Sequence, residues 1–108
     1  MSTLVKICGV TTPGDAALAA AAGADLVGFV LHPGARRGVT VGQAADIVTA
    51  VRDAGAEPVA VFVDQGPVEI ETLAESLGLG VVQLNGPPAK AARYELPAGL
   101  ARIVAVEV

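Results

Sequence analysis

Val5-Lys6-Ile7-Cys8-Gly9-Val10-Thr11-Thr12-Pro13 reads as a short β-strand that ends on a cysteine, breaks at a glycine and turns directly into a helix. Thr12 offers an N-cap oxygen, and Pro13 carries the preset φ of a first helical position. The rest of the chain repeats this unit. β-rich runs at 4–8, 26–31, 58–63, 81–84 and 102–108 alternate with helical segments at 12–23, 41–54, 67–78 and 88–94. Gly23, Gly55 and Gly78 mark the ends of the first three helices, and Glu69 and Glu71 suit the positive end of the third helix dipole. Such alternation, without a linker or low-complexity stretch, predicts a parallel α/β sheet.

The 108 residues are enough for one domain, and 53% apolar content is ample for a packed core. A single cysteine excludes an internal disulfide, and no basic region precedes an uninterrupted apolar stretch, so the expected location is cytoplasmic. Gly23 and Asp25 divide the apolar segment 16–31 into a helix and a strand, so no membrane span is expected. The net charge is -4, the only basic cluster is Arg36-Arg37 and aromatic residues make up 3% of the chain. That composition lacks both the electrostatic footprint and the stacking platforms of nucleic-acid binders.

Strand alternation puts Leu4, Lys6 and Cys8 on one face of the first strand, and Val5 and Ile7 on the other. The apolar pair is expected to meet the helices, which turns Lys6 and Cys8 toward the sheet interior. A lone cysteine in an apolar strand is ordinarily a small buried hydrophobe. At the C-terminal tip of a first strand, however, it occupies the end at which β/α barrels keep their active sites. For Lys6 the ordinary reading is a structural ion pair. Its functional reading is a cation that favours the Cys8 thiolate.

Other strand ends are polar too. His32 follows the second strand, Asp64 the third and Asn85 the fourth, with Gln83 on the same face as Asn85. Singly, each has a bland explanation: His32 as a loop residue, Asp64 as a cap for the Gln65-Gly66-Pro67 turn, Arg36-Arg37 as a solvated pair. Together they place polarity on one rim, where barrel closure gathers ligand-binding groups from different strands.

Four blocks then carry a family resemblance: VKICGVT at 5–11, GADLVGFVLHPGARRGV at 23–39, VAVFVD at 59–64 and VQLNG at 82–86. In identity, order and spacing they are similar to phosphoribosylanthranilate isomerase. The resemblance implies a TIM barrel, here a partial one of about four and a half β/α units. The implied reaction belongs to tryptophan biosynthesis: the Amadori rearrangement of N-(5'-phosphoribosyl)anthranilate to 1-(2-carboxyphenylamino)-1-deoxyribulose 5-phosphate. It needs no cofactor and no metal, and its partner is a small phosphosugar substrate. By resemblance, Cys8 is the general base that removes the C2' proton, Arg37 positions the substrate and Arg36 is a surface neighbour. Lys6 is a candidate for thiolate support and substrate binding.

Two positions depart from the family pattern. Ala35 stands where a serine is common, which removes a hydroxyl from the Arg37 loop. Asn85 stands where the family often has histidine; it exchanges hydrogen bonds but does not titrate near neutrality, so binding is its expected role. Length departs as well. Barrels of this kind need at least about 200 residues, and the family's ring-protonating aspartate on strand six and phosphate loops after strands seven and eight have no counterpart here. Residues 1–108 therefore read as the N-terminal half of a barrel, expected to be inactive alone. One alternative is a natural half-barrel, whose open edges at the first and fifth strands invite self-association or pairing with a complementary half. Another is a small doubly wound nucleotide-binding or phosphoacceptor domain. Against it, Gly9 is followed by Val-Thr-Thr-Pro rather than a glycine-rich loop, and no acidic pair follows the first strand.

Overall fold

The computed structural model describes residues 3–32, 34–85 and 95–104. Its elements run in the order β1 (Lys6–Cys8), α1 (Pro13–Ala21), β2 (Leu26–Val30), α2 (Val41–Asp53), β3 (Glu57–Val63), α3 (Pro67–Leu77), β4 (Val81–Asn85) and β5 (Ala101–Val104). The helix expected at 88–94 and the end of the fifth strand, 105–108, lie outside the described residues. Thr12 caps α1 as expected, its Oγ1 accepting from Asp15 N at 3.1 Å, with Pro13 in the first turn. A capping box opens α2: Thr40 Oγ1 accepts from Gln43 N at 3.1 Å, and Gln43 Oε1 accepts from Thr40 N at 2.9 Å. Gly78 closes α3 in the left-handed region, at φ 66°.

All five strands are parallel and lie in the sequential order β1-β2-β3-β4-β5. A doubly wound domain reverses strand order at a switch point and puts helices on both faces. Neither occurs among the described residues. Ala16 and Ala19 of α1, Ile47 and Val51 of α2, and Ile70 and Ala74 of α3 join Val27, Phe29, Ala60, Phe62, Val82 and Leu84 in a single cluster. Helices therefore cover one face, and the other is free to curl inward. Val59 and Val61 on that second face are buried as well, yet stand apart from the helix-side cluster.

The register shows the curl. Cys8, the last residue of β1, pairs with Gly28; Gly28 pairs with Val59, and Val59 with Val81, the first residue of β4. A row that starts at one strand's end reaches another strand's beginning, which is the tilt and shear that close a barrel. The side chains that head this staggered row are those of β1.

One expectation needs correction. Val5 and Ile7 do not pack under the helices: they are 48% and 37% exposed, whereas Val27, the partner of Ile7, is fully buried. Ile7 has the orientation expected from alternation, since it shares the helix-side face of Val27. However, β1 is the edge of the described sheet, and α1 packs over β2 and α2 rather than β1. Among the described residues no helix is long and apolar enough to cross a membrane.

Candidate active site at the tip of β1

The β1 strand ends at Cys8 because Gly9 takes φ +91°, a conformation disfavoured for residues with side chains. Gly9 N and Val10 N both donate to the Gly28 carbonyl, at 2.9 and 3.2 Å, which turns the chain toward the Thr12 cap. The thiol is left exposed at the C-terminal end of the strand. It is not the buried hydrophobe of the ordinary reading.

Lys6 and Cys8 share a face, as alternation requires, and both side chains lie over Gly28. A Cβ at Gly28 would stand 3.0 Å from Cys8 Sγ and 3.3 Å from both Cε and Nζ of Lys6. Lys6 is half-buried. Among the described residues it has no carboxylate partner, so the ion-pair reading finds no support there.

Arg37 arrives from the β2–α2 loop. The His32 carbonyl accepts from Ala35 N at 3.0 Å, the Ala35 carbonyl from Gly38 N at 3.0 Å, and the Val30 carbonyl from Val39 N at 2.9 Å. Gly38 bridges to Val30, and a Cβ there would collide with the His32 carbonyl oxygen. This tight fold leads the loop back over β1. A Cβ on Gly9 would stand 3.1 Å from Arg37 Nη1 and 3.3 Å from its Cδ. The guanidinium thus lies against Gly9, the residue that follows Cys8.

Asn85 ends β4 on the same rim, half-buried, with its Oδ1 accepting from Gln83 Nε2 at 3.1 Å. That bond leaves the Asn85 amino group as the donor end of the pair. Asp64 is exposed, in the left-handed region at φ 61°. Its neighbour Gln65 ties two strand ends together, with Oε1 accepting from Val63 N at 2.5 Å and Nε2 donating to the Leu31 carbonyl. Lys6, Cys8 and Arg37 therefore converge, while Asn85 and Gln83 form a separate pair further along the rim.

Gly28 and Gly9, which seat these side chains, were not among the candidates read from the sequence. A glycine inside a strand is the available signal, since it marks close approach. The described residues contain no group of three His, Cys, Asp or Glu side chains arranged for a metal. A groove of about 420 Å³ between α3 and residues 97–100 lies at the opposite end, beside the starts of β4 and β5. In barrels that end serves stability rather than chemistry.

Residues 5–108 match the family model of N-(5'-phosphoribosyl)anthranilate (PRA) isomerase. An N-(5'-phosphoribosyl)anthranilate isomerase from Chlamydia muridarum is 48% identical over 82 residues, 76% of this chain and 39% of the relative. The phosphoribosyl anthranilate isomerase of Thermus thermophilus superposes with a TM-score of 0.78 at 40% identity, covering 98% of this chain and 52% of that one. A phosphoribosyl anthranilate isomerase in complex with reduced 1-(o-carboxyphenylamino)-1-deoxyribulose 5-phosphate superposes with a TM-score of 0.74 at 35% identity, covering 85% and 47%. The chain spans 39% or less of the length of the curated relatives compared, and about half of the solved structures.

Proposed function

The chain belongs to the N-(5'-phosphoribosyl)anthranilate isomerase family, and we propose on that premise that it carries the base half of an Amadori isomerase site. The substrate is N-(5'-phosphoribosyl)anthranilate and the product 1-(2-carboxyphenylamino)-1-deoxyribulose 5-phosphate. Once the ribose ring opens, the anthranilate nitrogen forms a protonated imine with C1'. Cys8, as thiolate, takes the proton from C2'; the C2'–H electron pair forms the C1'=C2' bond and the imine electrons return to nitrogen. Protonation at C1' and loss of the C2' hydroxyl proton then give the ketone. Nothing is oxidised or reduced overall, and no cofactor is needed.

The observation that carries this reading is the exposed Cys8 thiol at the C-terminal end of β1, sharing the space over Gly28 with Lys6 and followed by Gly9, against which Arg37 lies. Cations in this position suit a substrate bearing a carboxylate and a phosphate. Arg37 is assigned the positioning contact, since a guanidinium pairs with either group through two parallel donors. Asn85 supplies a hydrogen bond and Lys6 a second charge. The reaction is assigned to the cytoplasm, where an unpaired thiol stays reduced.

Residues 1–108 are read as the N-terminal half of one barrel domain, inactive by itself. A fusion of this chain to the remaining half of the Thermus thermophilus relative tests the proposal. The fusion is expected to isomerise the substrate while the 108-residue chain does not. In the fusion, Arg37→Ala is expected to raise KM at least about tenfold, the scale of a lost charge-assisted contact. Turnover by the purified 108-residue chain, or an unchanged KM in the Arg37 variant, contradicts the assignment. The uncovered Val5 and Ile7 favour a second reading, a half-barrel that self-associates through its edge strands. A concentration-independent monomer in solution would eliminate it.

A further inference from the structure

Gly28 touches the Cys8 site in two ways. Its carbonyl oxygen accepts from both Gly9 N and Val10 N, at 2.9 and 3.2 Å, fixing the backbone just after the cysteine. Where a side chain would begin, the space is already taken: a Cβ would stand 3.0 Å from Cys8 Sγ and 3.3 Å from Lys6 Cε and Nζ. Contacts that short force a neighbour to give way. The lysine tip ends a long flexible stem, but Cys8 is in strand register opposite Gly28 and its Sγ has a single torsion to turn about.

From this we infer that Gly28 is a positioning residue of the proposed isomerase site: its lack of a side chain holds the Cys8 thiol and the Lys6 ammonium side by side over β2. The inference rests on the reading of Cys8 as the base. An alanine here drives a wedge between sulfur and cation, leaving both present but apart.

The test uses the 108-residue chain, whose sole cysteine makes alkylation specific to one site. Rate constants are measured with iodoacetate, which is anionic, and with iodoacetamide, which is neutral. The same thiolate displaces iodide from both reagents, so the ratio of the iodoacetate rate to the iodoacetamide rate removes its protonation and reads the local cation. Lys6→Ala is expected to lower that ratio about fivefold, the effect of one charge near contact distance in water. Gly28→Ala is expected to lower it to a similar degree, and the double variant no further. An unchanged ratio in Gly28→Ala, or two effects that simply multiply, overturns the inference.

If Gly28→Ala does not fold, the triple variant Gly28→Ala/Lys6→Ala/Cys8→Ala decides the matter, because it vacates all three crowding contacts. Recovery of its circular dichroism spectrum is expected. A triple variant that stays unfolded shows that crowding by these side chains is not what the glycine avoids. Failure of the isomerase reading would look different: a fusion carrying Cys8→Ala would keep its activity, with the alkylation ratios unaffected.

Discussion

Gly9 illustrates how much of the site depends on residues without side chains. At φ +91° it ends β1, and the space beside it seats the Arg37 guanidinium. Gly9→Ala therefore meets two penalties, a disfavoured backbone conformation and a displaced arginine. The backbone penalty alone is roughly 1–2 kcal/mol, and the urea midpoint of the 108-residue chain is expected to fall accordingly. Cys8 differs, because its thiol is exposed and fills no cavity. Cys8→Ala is expected to shift stability by no more than about 0.5 kcal/mol, which thermal melts will check, so activity lost in that variant is not lost through unfolding. At this scale placement was legible: Lys6 and Cys8 share a face of β1, Arg37 lies in the loop after β2 and Asn85 ends β4. Their supports were not, because Gly9 and Gly28 act through absent atoms that no hydrophobic pattern records.

Among the described residues, strands and helices were legible to within a few residues, since Pro13, Gly23, Pro67 and Gly78 punctuate the chain strongly. α1 stops at Ala21, two residues short of Gly23, and β3 begins one residue earlier than its apolar run, at Glu57. Thr40 and Gln43 spell the capping box that starts α2, a signal present in the sequence but overlooked beside the longer apolar run from Val41. Thr40→Ala is expected to cost about 0.5–2 kcal/mol, read as a lower melting temperature of the 108-residue chain. Alternation also gave the right face for Ile7 and the wrong degree of cover. Periodicity reports which way a side chain points, whereas burial depends on what another element places above it.

Over the whole molecule, sequential parallel order, one-sided helices and staggered register describe part of a closing barrel. Ile7 tests whether a completed barrel covers the β1 edge. In the 108-residue chain Ile7→Ala is expected to cost less than about 1 kcal/mol, rising to about 2–5 kcal/mol in the fusion once the side chain is enclosed. Equal costs in denaturant titrations of the two proteins would mean that the edge stays open. Family membership was legible because four blocks recur in family order.

The most direct test of Cys8 as the base is steady-state turnover of N-(5'-phosphoribosyl)anthranilate by the fusion with and without Cys8→Ala. Removing a general base is expected to lower kcat by at least about a hundredfold with the fold intact. A Cys8→Ala fusion that keeps the parent kcat would contradict the assignment and return Cys8 to a structural role.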